Sequence, residues 1–209
     1  MNPLILPAAD PASIEEAVRA LRRGAAVAFP TDTVYGLGAL ATVAAAIGRL
    51  YDIKGRDETK AIAILLAGDD QLPQVATDLS PAALTLARRF WPGALTLVVP
   101  RHPSLPDVLS PRPTIGVRVP DHAAARALLA AAGPLAVTSA NLSGAPDCTT
   151  AAQVAVQLGG RVELILDGGE TPGGVPSTVV DTTGTDIAIL RGGPVSEGQI
   201  RDALSGRGL

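Results

Sequence analysis

Short apolar runs of strand length alternate with amphipathic stretches of helix length along nearly all of the 209 residues, with no shift of composition between them. A chain patterned in this way buries its strands as one sheet and packs its helices against the faces, which is the α/β class. Strands are expected at 25–29, 61–66, 95–99, 114–119, 135–138, 162–166, 179–181 and 187–190. The first helix is expected to open on a capping box formed by Ser13 and Glu16, carry Ile14, Ala17, Val18 and Leu21 on one face, and stop at Gly24. Further helices are expected at 42–52, from Ser80-Pro81 to 90, from a cap at Asp121 to Gly133, at 151–158 and at 197–204. Residues 167–176 are rich in Gly and Pro and read as a mobile loop, a candidate lid. The expectation is one domain over 1–209 with an open, twisted, mixed sheet.

Composition narrows the chemistry. The chain is 47% hydrophobic but only 2% aromatic, so its core must be built from Ala, Val, Leu and Ile. Its net charge of −3 argues against a surface dominated by nucleic-acid electrostatics, and any polyanion site must be a local patch. Cys148 is the single cysteine, which leaves no internal disulfide and no cysteine zinc site. His102 and His122 are the only histidines, too few for a multi-histidine metal centre. The first ten residues hold Pro3 and Pro7 and lack a basic segment followed by an apolar one, and no run of about 18 apolar residues occurs. The expected location is the cytoplasm, with no membrane contact.

Four polar clusters stand where apolar strands end, the place where open α/β sheets bind ligands. The first, Pro30 to Gly38, combines Thr31, Asp32 and Thr33 with two glycines; its plainer reading is a tight turn. The second, Lys54-Gly55-Arg56 with Lys60, suits phosphate oxygens, although an isolated basic loop is usually just solvated. It is not a phosphate loop of the G-x-x-x-x-G-K-[ST] type. In the third, Thr114 to Pro120, Arg118 sits mid-strand, where it either points to solvent or clamps a carboxylate. The fourth, Thr138 to Gly144, crowds small donors and acceptors that serve equally as turn residues. Ser177-Thr178 and Arg191-Gly192-Gly193 repeat the theme of a hydroxyl or cation beside glycine. No Gly-x-Ser-x-Gly occurs and Cys148 has no neighbouring histidine, so a side-chain nucleophile is not expected. Hydroxyls, amides and cations suit chemistry done by positioning substrates and neutralising phosphate charge.

Taken in order, the clusters resemble the YrdC-like family of threonylcarbamoyl-AMP synthases. The matching pieces are FPTDTVYGLGA (29–39), KGR with Lys60, WPGALTLV (91–98), TIGVRVPDH (114–122), TSANLSGAP (138–146), STVVD (177–181) and LRGGPVS (190–196). The resemblance implies a YrdC-like fold of the single-domain type, with substrates on a concave sheet face. It implies synthesis of L-threonylcarbamoyladenylate and pyrophosphate from L-threonine, bicarbonate and ATP, for the threonylcarbamoyladenosine modification of tRNA next to the anticodon. Carried across, Thr33, Arg118, Thr138 and Ser177 are the threonine contacts. Lys54, Arg56, Lys60, Thr114, Ser139, Asn141, Ser143 and Arg191 are the ATP contacts, with Lys54 and Arg56 the catalytic pair. No protein metal site is implied; Mg2+ travels on the ATP phosphates. Expected partners are tRNA or double-stranded RNA and a downstream threonylcarbamoyl transferase complex. Leu65 departs from the family pattern, which often has His there. Two rivals remain at this point. One is a double-stranded RNA-binding or ribosome-assembly module using the same groove. The other is carbamoyl transfer inside a larger maturation enzyme, which would call for the zinc modules this chain lacks.

Overall fold

The computed structural model describes residues 2–172 and 174–206. In chain order the elements are β1 (Leu4–Pro7), α1 (Pro11–Arg22), β2 (Val27–Phe29), β3 (Gly36–Leu40), α2 (Ala44–Lys54), β4 (Ala63–Leu65), α3 (Pro81–Phe90), β5 (Leu95–Pro100), β6 (Thr114–Arg118), α4 (Ala123–Ala132), β7 (Leu135–Ser139), α5 (Ala151–Leu158), β8 (Leu164–Asp167), β9 (Thr178–Asp181), β10 (Ala188–Arg191) and α6 (Glu197–Leu204). The strands form one mixed sheet in the order β1-β8-β2-β3-β7-β4-β6-β5-β9-β10. The α/β class and the open mixed sheet are as the sequence led us to expect.

Alternation along the strands divides the apolar residues between two cores. Ala28, Leu37, Ala136, Ile64, Val117, Leu97 and Val180 face one side, where Ile47 and Leu50 of α2, Leu86 of α3, Val154 of α5 and Ile200 of α6 close over them. Val27, Phe29, Leu135, Val137, Leu65 and Leu164 face the other, beneath α1 and α4. These two helices pack on each other. This second core covers only one end of the sheet. Beyond it the same face carries Ala63, Gly116, Thr96 and Val98, and these line an open concavity.

Two strands were not anticipated. β1 is four residues long, bounded by prolines, and forms an exposed edge with Leu4 51% and Ile5 45% exposed. Proline is tolerated on such an edge because no ladder donor is needed there. In β3, Gly36 and Gly38 disguised a strand as a turn. A Cβ on Gly36 would stand 2.8 Å from Val137 Cγ1, and one on Gly38 would stand 2.9 Å from Phe29 Cε1. The glycines let two neighbouring core side chains lie across the strand.

Two caps differ from expectation. α1 starts at Asp10-Pro11, with Asp10 Oδ1 accepting from Ala12 N at 3.0 Å, and Ser13 is buried in the first turn, its hydroxyl donating to Asp10 Oδ2. An Asp cap followed by Pro at the first helical position takes precedence over the later Ser. α4 is capped by His122, whose Nδ1 accepts from Ala125 N, and not by Asp121. α2 runs Ala44–Lys54, two residues later than expected at each end, whereas α3, α5 and α6 start as expected: Ser80 caps α3, and Thr150 with Gln153 and Ser196 with Gln199 form capping boxes on α5 and α6.

Gly173 of the 167–176 loop lies outside the described residues. The rest is anchored: Tyr35 Oη donates to Gly169 O at 2.8 Å and accepts from Gly168 N, Thr171 N donates to Thr149 O, and Gly174 N donates to Thr33 O. No helix among the described residues is long and apolar enough to cross a membrane.

Gly38→Ala should lower stability by about 1–3 kcal/mol, because the buried Phe29 ring and Val137 must both shift. Urea unfolding measures this, and an unchanged midpoint would show that the β3 glycines are not packing-driven.

Candidate active site

The concavity is a cavity of about 410 Å³, within the size range of small-molecule sites. Its walls bring together Thr33, Arg56, Arg118, Thr138 and Ser139 from all four polar clusters, with Ser177 and Arg191 from the two C-terminal segments. Thr31 and Tyr35 of the first cluster also line it, as do Thr96 and Asp147, which the sequence did not single out. Thr96 is one polar position in an otherwise apolar strand, which was a usable signal; Asp147 carried none. Asp147 is the one acidic residue on the lining, against three arginines.

Register sets the layout. Leu65 of β4 pairs with Leu135 of β7 and with Arg118 of β6, so these share a row. Ser139 lies four residues further along β7, roughly 13 Å away at about 3.3 Å per residue. Thr114 begins β6 at the Ser139 end, because β6 runs antiparallel to β7's direction through β4. The site therefore has an Arg118 end and a Ser139 end.

At the first end, Arg118 is 5% exposed and its guanidinium is held from three sides. Nε donates to Gly93 O at 2.9 Å, one terminal nitrogen to Thr33 Oγ1 at 3.0 Å, and the other pairs with Asp32. Among the described residues these partners leave two of the guanidinium's five N–H donors for a ligand. Its burial excludes the reading in which Arg118 points to solvent. Thr31 Oγ1 donates to Val34 O at 2.7 Å, so the Thr33 hydroxyl donates to Thr31 and accepts from Arg118. Nearby, Ser177 Oγ and Thr96 Oγ1 are 2.8 Å apart, and Arg191 donates through Nε and a terminal nitrogen to Ser177 O. Thr138 reaches the lining but pairs with Leu37, whose side chain belongs to the opposite core. Alternation thus turns the Thr138 side chain away from the Arg118 face, and its backbone is what the cavity meets.

At the second end, Arg56 follows the α2 cap Gly55, which adopts the left-handed conformation at φ 58°. The Arg56 guanidinium donates to Ala61 O at 3.0 Å, and Tyr51 Oη, whose single proton lies between Lys60 O at 3.2 Å and Val108 O at 3.1 Å, braces the same loop. Lys54 is a correction. Expected among the phosphate contacts and the catalytic pair, it is 3% exposed and absent from the lining. Its ammonium donates to Ser139 O at 2.5 Å, Asn141 O at 2.5 Å and Asn141 Oδ1 at 2.9 Å, which engages all three donors. Asn141 is likewise buried behind the wall. Lys60, Thr114 and Ser143 also lie off the lining; Ser143 N donates to Lys54 O at 3.0 Å. Among the described residues no cluster of three or more His, Cys, Asp or Glu forms a metal cage.

An open concave face of a mixed sheet, with one buried arginine and two more accessible ones on its walls, suits an anionic ligand. Residues 19–193 match the family model described as "Telomere recombination", Sua5/YciO/YrdC, and the chain belongs to that family. Curated relatives named threonylcarbamoyl-AMP synthase, from Bacillus subtilis (strain 168) and Pyrococcus abyssi (strain GE5 / Orsay), are each 44% identical over 93% and 83% of this chain. The chain spans only 57% and 52% of their lengths. A putative threonylcarbamoyl-AMP synthase from Mycobacterium tuberculosis is 41% identical, over 91% of this chain and 88% of its own. The crystal structure of P. abyssi Sua5 complexed with L-threonine superposes with a TM-score of 0.93 at 39% identity, covering 98% of this chain and 61% of that one. E. coli YciO superposes at 0.81 with 27% identity, covering 91% and 94%. None of these relatives is named as an RNA-binding or ribosome-assembly protein, so that rival gains no support.

Burial pushes the Lys54 ammonium down to about 8, helped by Arg56 and opposed by Asp147 and Cys148. Below that pH the ammonium closes the cage; above it, one of three oxygens loses its donor. The folded state then binds fewer protons than the unfolded chain between about 8 and 10.5, so this group's contribution to stability rises with pH there. The urea midpoint should rise more between about pH 8 and 10.5 for the wild type than for Lys54→Met, because only the wild type sheds a penalised buried charge there. Midpoints that change in parallel would mean the three oxygens keep the proton on.

Proposed function

We propose that this chain forms L-threonylcarbamoyladenylate and pyrophosphate from L-threonine, bicarbonate and ATP. What carries the reading is the two-ended cavity: a buried, preorganised Arg118 at one end and the Arg56 and Ser139 wall at the other. The names of the relatives, including a Sua5 structure complexed with L-threonine, point the same way.

In this reading the two free N–H groups of Arg118 take the threonine carboxylate as a fork. Thr33, Ser177 and the Thr138 backbone surround the rest of the amino acid. The threonine amine and bicarbonate give a carbamate with loss of water. A carbamate oxygen attacks the α-phosphorus of ATP, the bond to the bridging oxygen breaks, and pyrophosphate leaves. Arg56 and Arg191 neutralise charge that grows on the phosphate oxygens, with no covalent enzyme intermediate. Lys60, Thr114 and Ser143 lie outside the cavity and would reach ATP only beyond its rim. The cavity has one carboxylate, Asp147, and no cage, which fits an Mg2+ that keeps its waters and rides on the nucleotide. Such an ion would supply charge neutralisation for the departing pyrophosphate. The product would pass to a downstream threonylcarbamoyl transferase complex for modification of tRNA, work that suits the cytoplasm.

Steady-state pyrophosphate release with ATP and bicarbonate tests this. Threonine should be required, serine should be slower by roughly 10- to 200-fold for one missing methyl, and valine should be inert. Arg118→Lys should cut kcat/KM for threonine and serine alike, because an ammonium keeps the charge but not the fork. Release that ignores the amino acid supplied would sink the assignment.

A further inference from the structure

The orientation of the Asn141 side-chain amide is settled by its neighbours. The Lys54 ammonium can only donate, so the atom facing it at 2.9 Å must be the amide oxygen. The amide nitrogen on the other side donates to Ala145 O at 2.6 Å and Leu142 O at 3.1 Å, two acceptors that an oxygen could not meet. The Ser139 hydroxyl lies 2.5 Å from that same Oδ1. Oδ1 has no proton, so Ser139 must donate to it. A hydroxyl has one proton, and that proton now points into the wall. What Ser139 presents to the cavity is lone pairs.

We propose that Lys54 is a positioning residue that fixes the Asn141 amide and so makes Ser139 an acceptor, and that Ser139 receives an N–H or O–H donor of the nucleotide's ribose or base. This rests on the proposed function, since it takes ATP as the ligand. It departs from the expectation that Lys54 and Ser139 both meet phosphate oxygens: a phosphate oxygen offers only lone pairs to a hydroxyl whose proton is engaged. Ser139 belongs with the nucleotide and not the amino acid because its row is four residues along β7 from that of Arg118. Arg56 bonds Ala61 O, just before β4 at the same end, so the phosphates have their own cation. The groups around Lys54 are Arg56, Asp147 and Cys148, and none replaces it as a donor to Asn141.

Calorimetric affinities would be measured for ATP, 2′-deoxy-ATP, 3′-deoxy-ATP, inosine triphosphate and inorganic tripolyphosphate, each with magnesium and in a chelator. Ser139→Ala should weaken ATP about three- to tenfold, the range of one hydrogen bond, and leave tripolyphosphate unchanged. One analogue lacking a donor should bind the wild type more weakly by the same factor and be indifferent to Ser139→Ala; which analogue does so identifies ribose or base. Lys54→Met should lose the same discrimination, and the double variant should lose no more than either single one. If Lys54→Met fails to fold, the Ser139→Ala series still decides. Tripolyphosphate weakened as much as ATP, or an effect that disappears in the chelator, would overturn the proposal while leaving the function standing. Failure of the wild type to bind any nucleotide would overturn both.

Discussion

One sheet carries two cores of unequal extent, and the site exists because the smaller one stops short. Leu37, Ala136, Ile64, Val117 and Leu97 are covered along the sheet by helices, whereas α1 and α4 cover only the opposite face's Val27, Phe29, Leu135 and Val137 end. Past that boundary the face holds Ala63, Gly116 and Thr96, small enough to leave a hollow. A bare sheet face of large apolar residues would be a liability in water. Here the exposed floor is short, partly polar and walled by Arg56, Arg118 and Arg191.

Burying cations beside that hollow is costly unless each is paired and hydrogen-bonded. Lys54 is met by three oxygens and Arg118 by Gly93 O, Thr33 and Asp32. The partners are drawn from segments 85 residues or more away in the cases of Ser139, Asn141, Thr33 and Asp32. Each buried charge therefore fixes a loop on a neighbouring strand end as well as itself. The result is a set of hydroxyls whose proton directions are decided before any ligand arrives, which is the preorganisation that electrostatic catalysis needs.

The charge of the whole chain hides this local design. A net charge of −3 describes a mildly acidic surface, yet the cavity has three arginines against one aspartate. Electrostatics focused in a concave, partly desolvated site acts on its ligand far more strongly than the average surface does.

Much of this was legible in the residues alone. Period-two and helical patterns located the buried strands and most helices, and strand ends with hydroxyls and cations located the cavity. Only the fold could show that Gly36 and Gly38 belong to a strand, because their role is to admit Phe29 and Val137, neighbours in space. Only the fold could separate Arg56, on the wall, from Lys54, two residues earlier and sealed behind it. The amino-acid sequence determined the class of fold and the family's motifs, since these depend on residue type and spacing. Tertiary structure decided which cation faces ligand and which faces protein, because burial and hydrogen-bond direction are set by segments more than eighty residues apart.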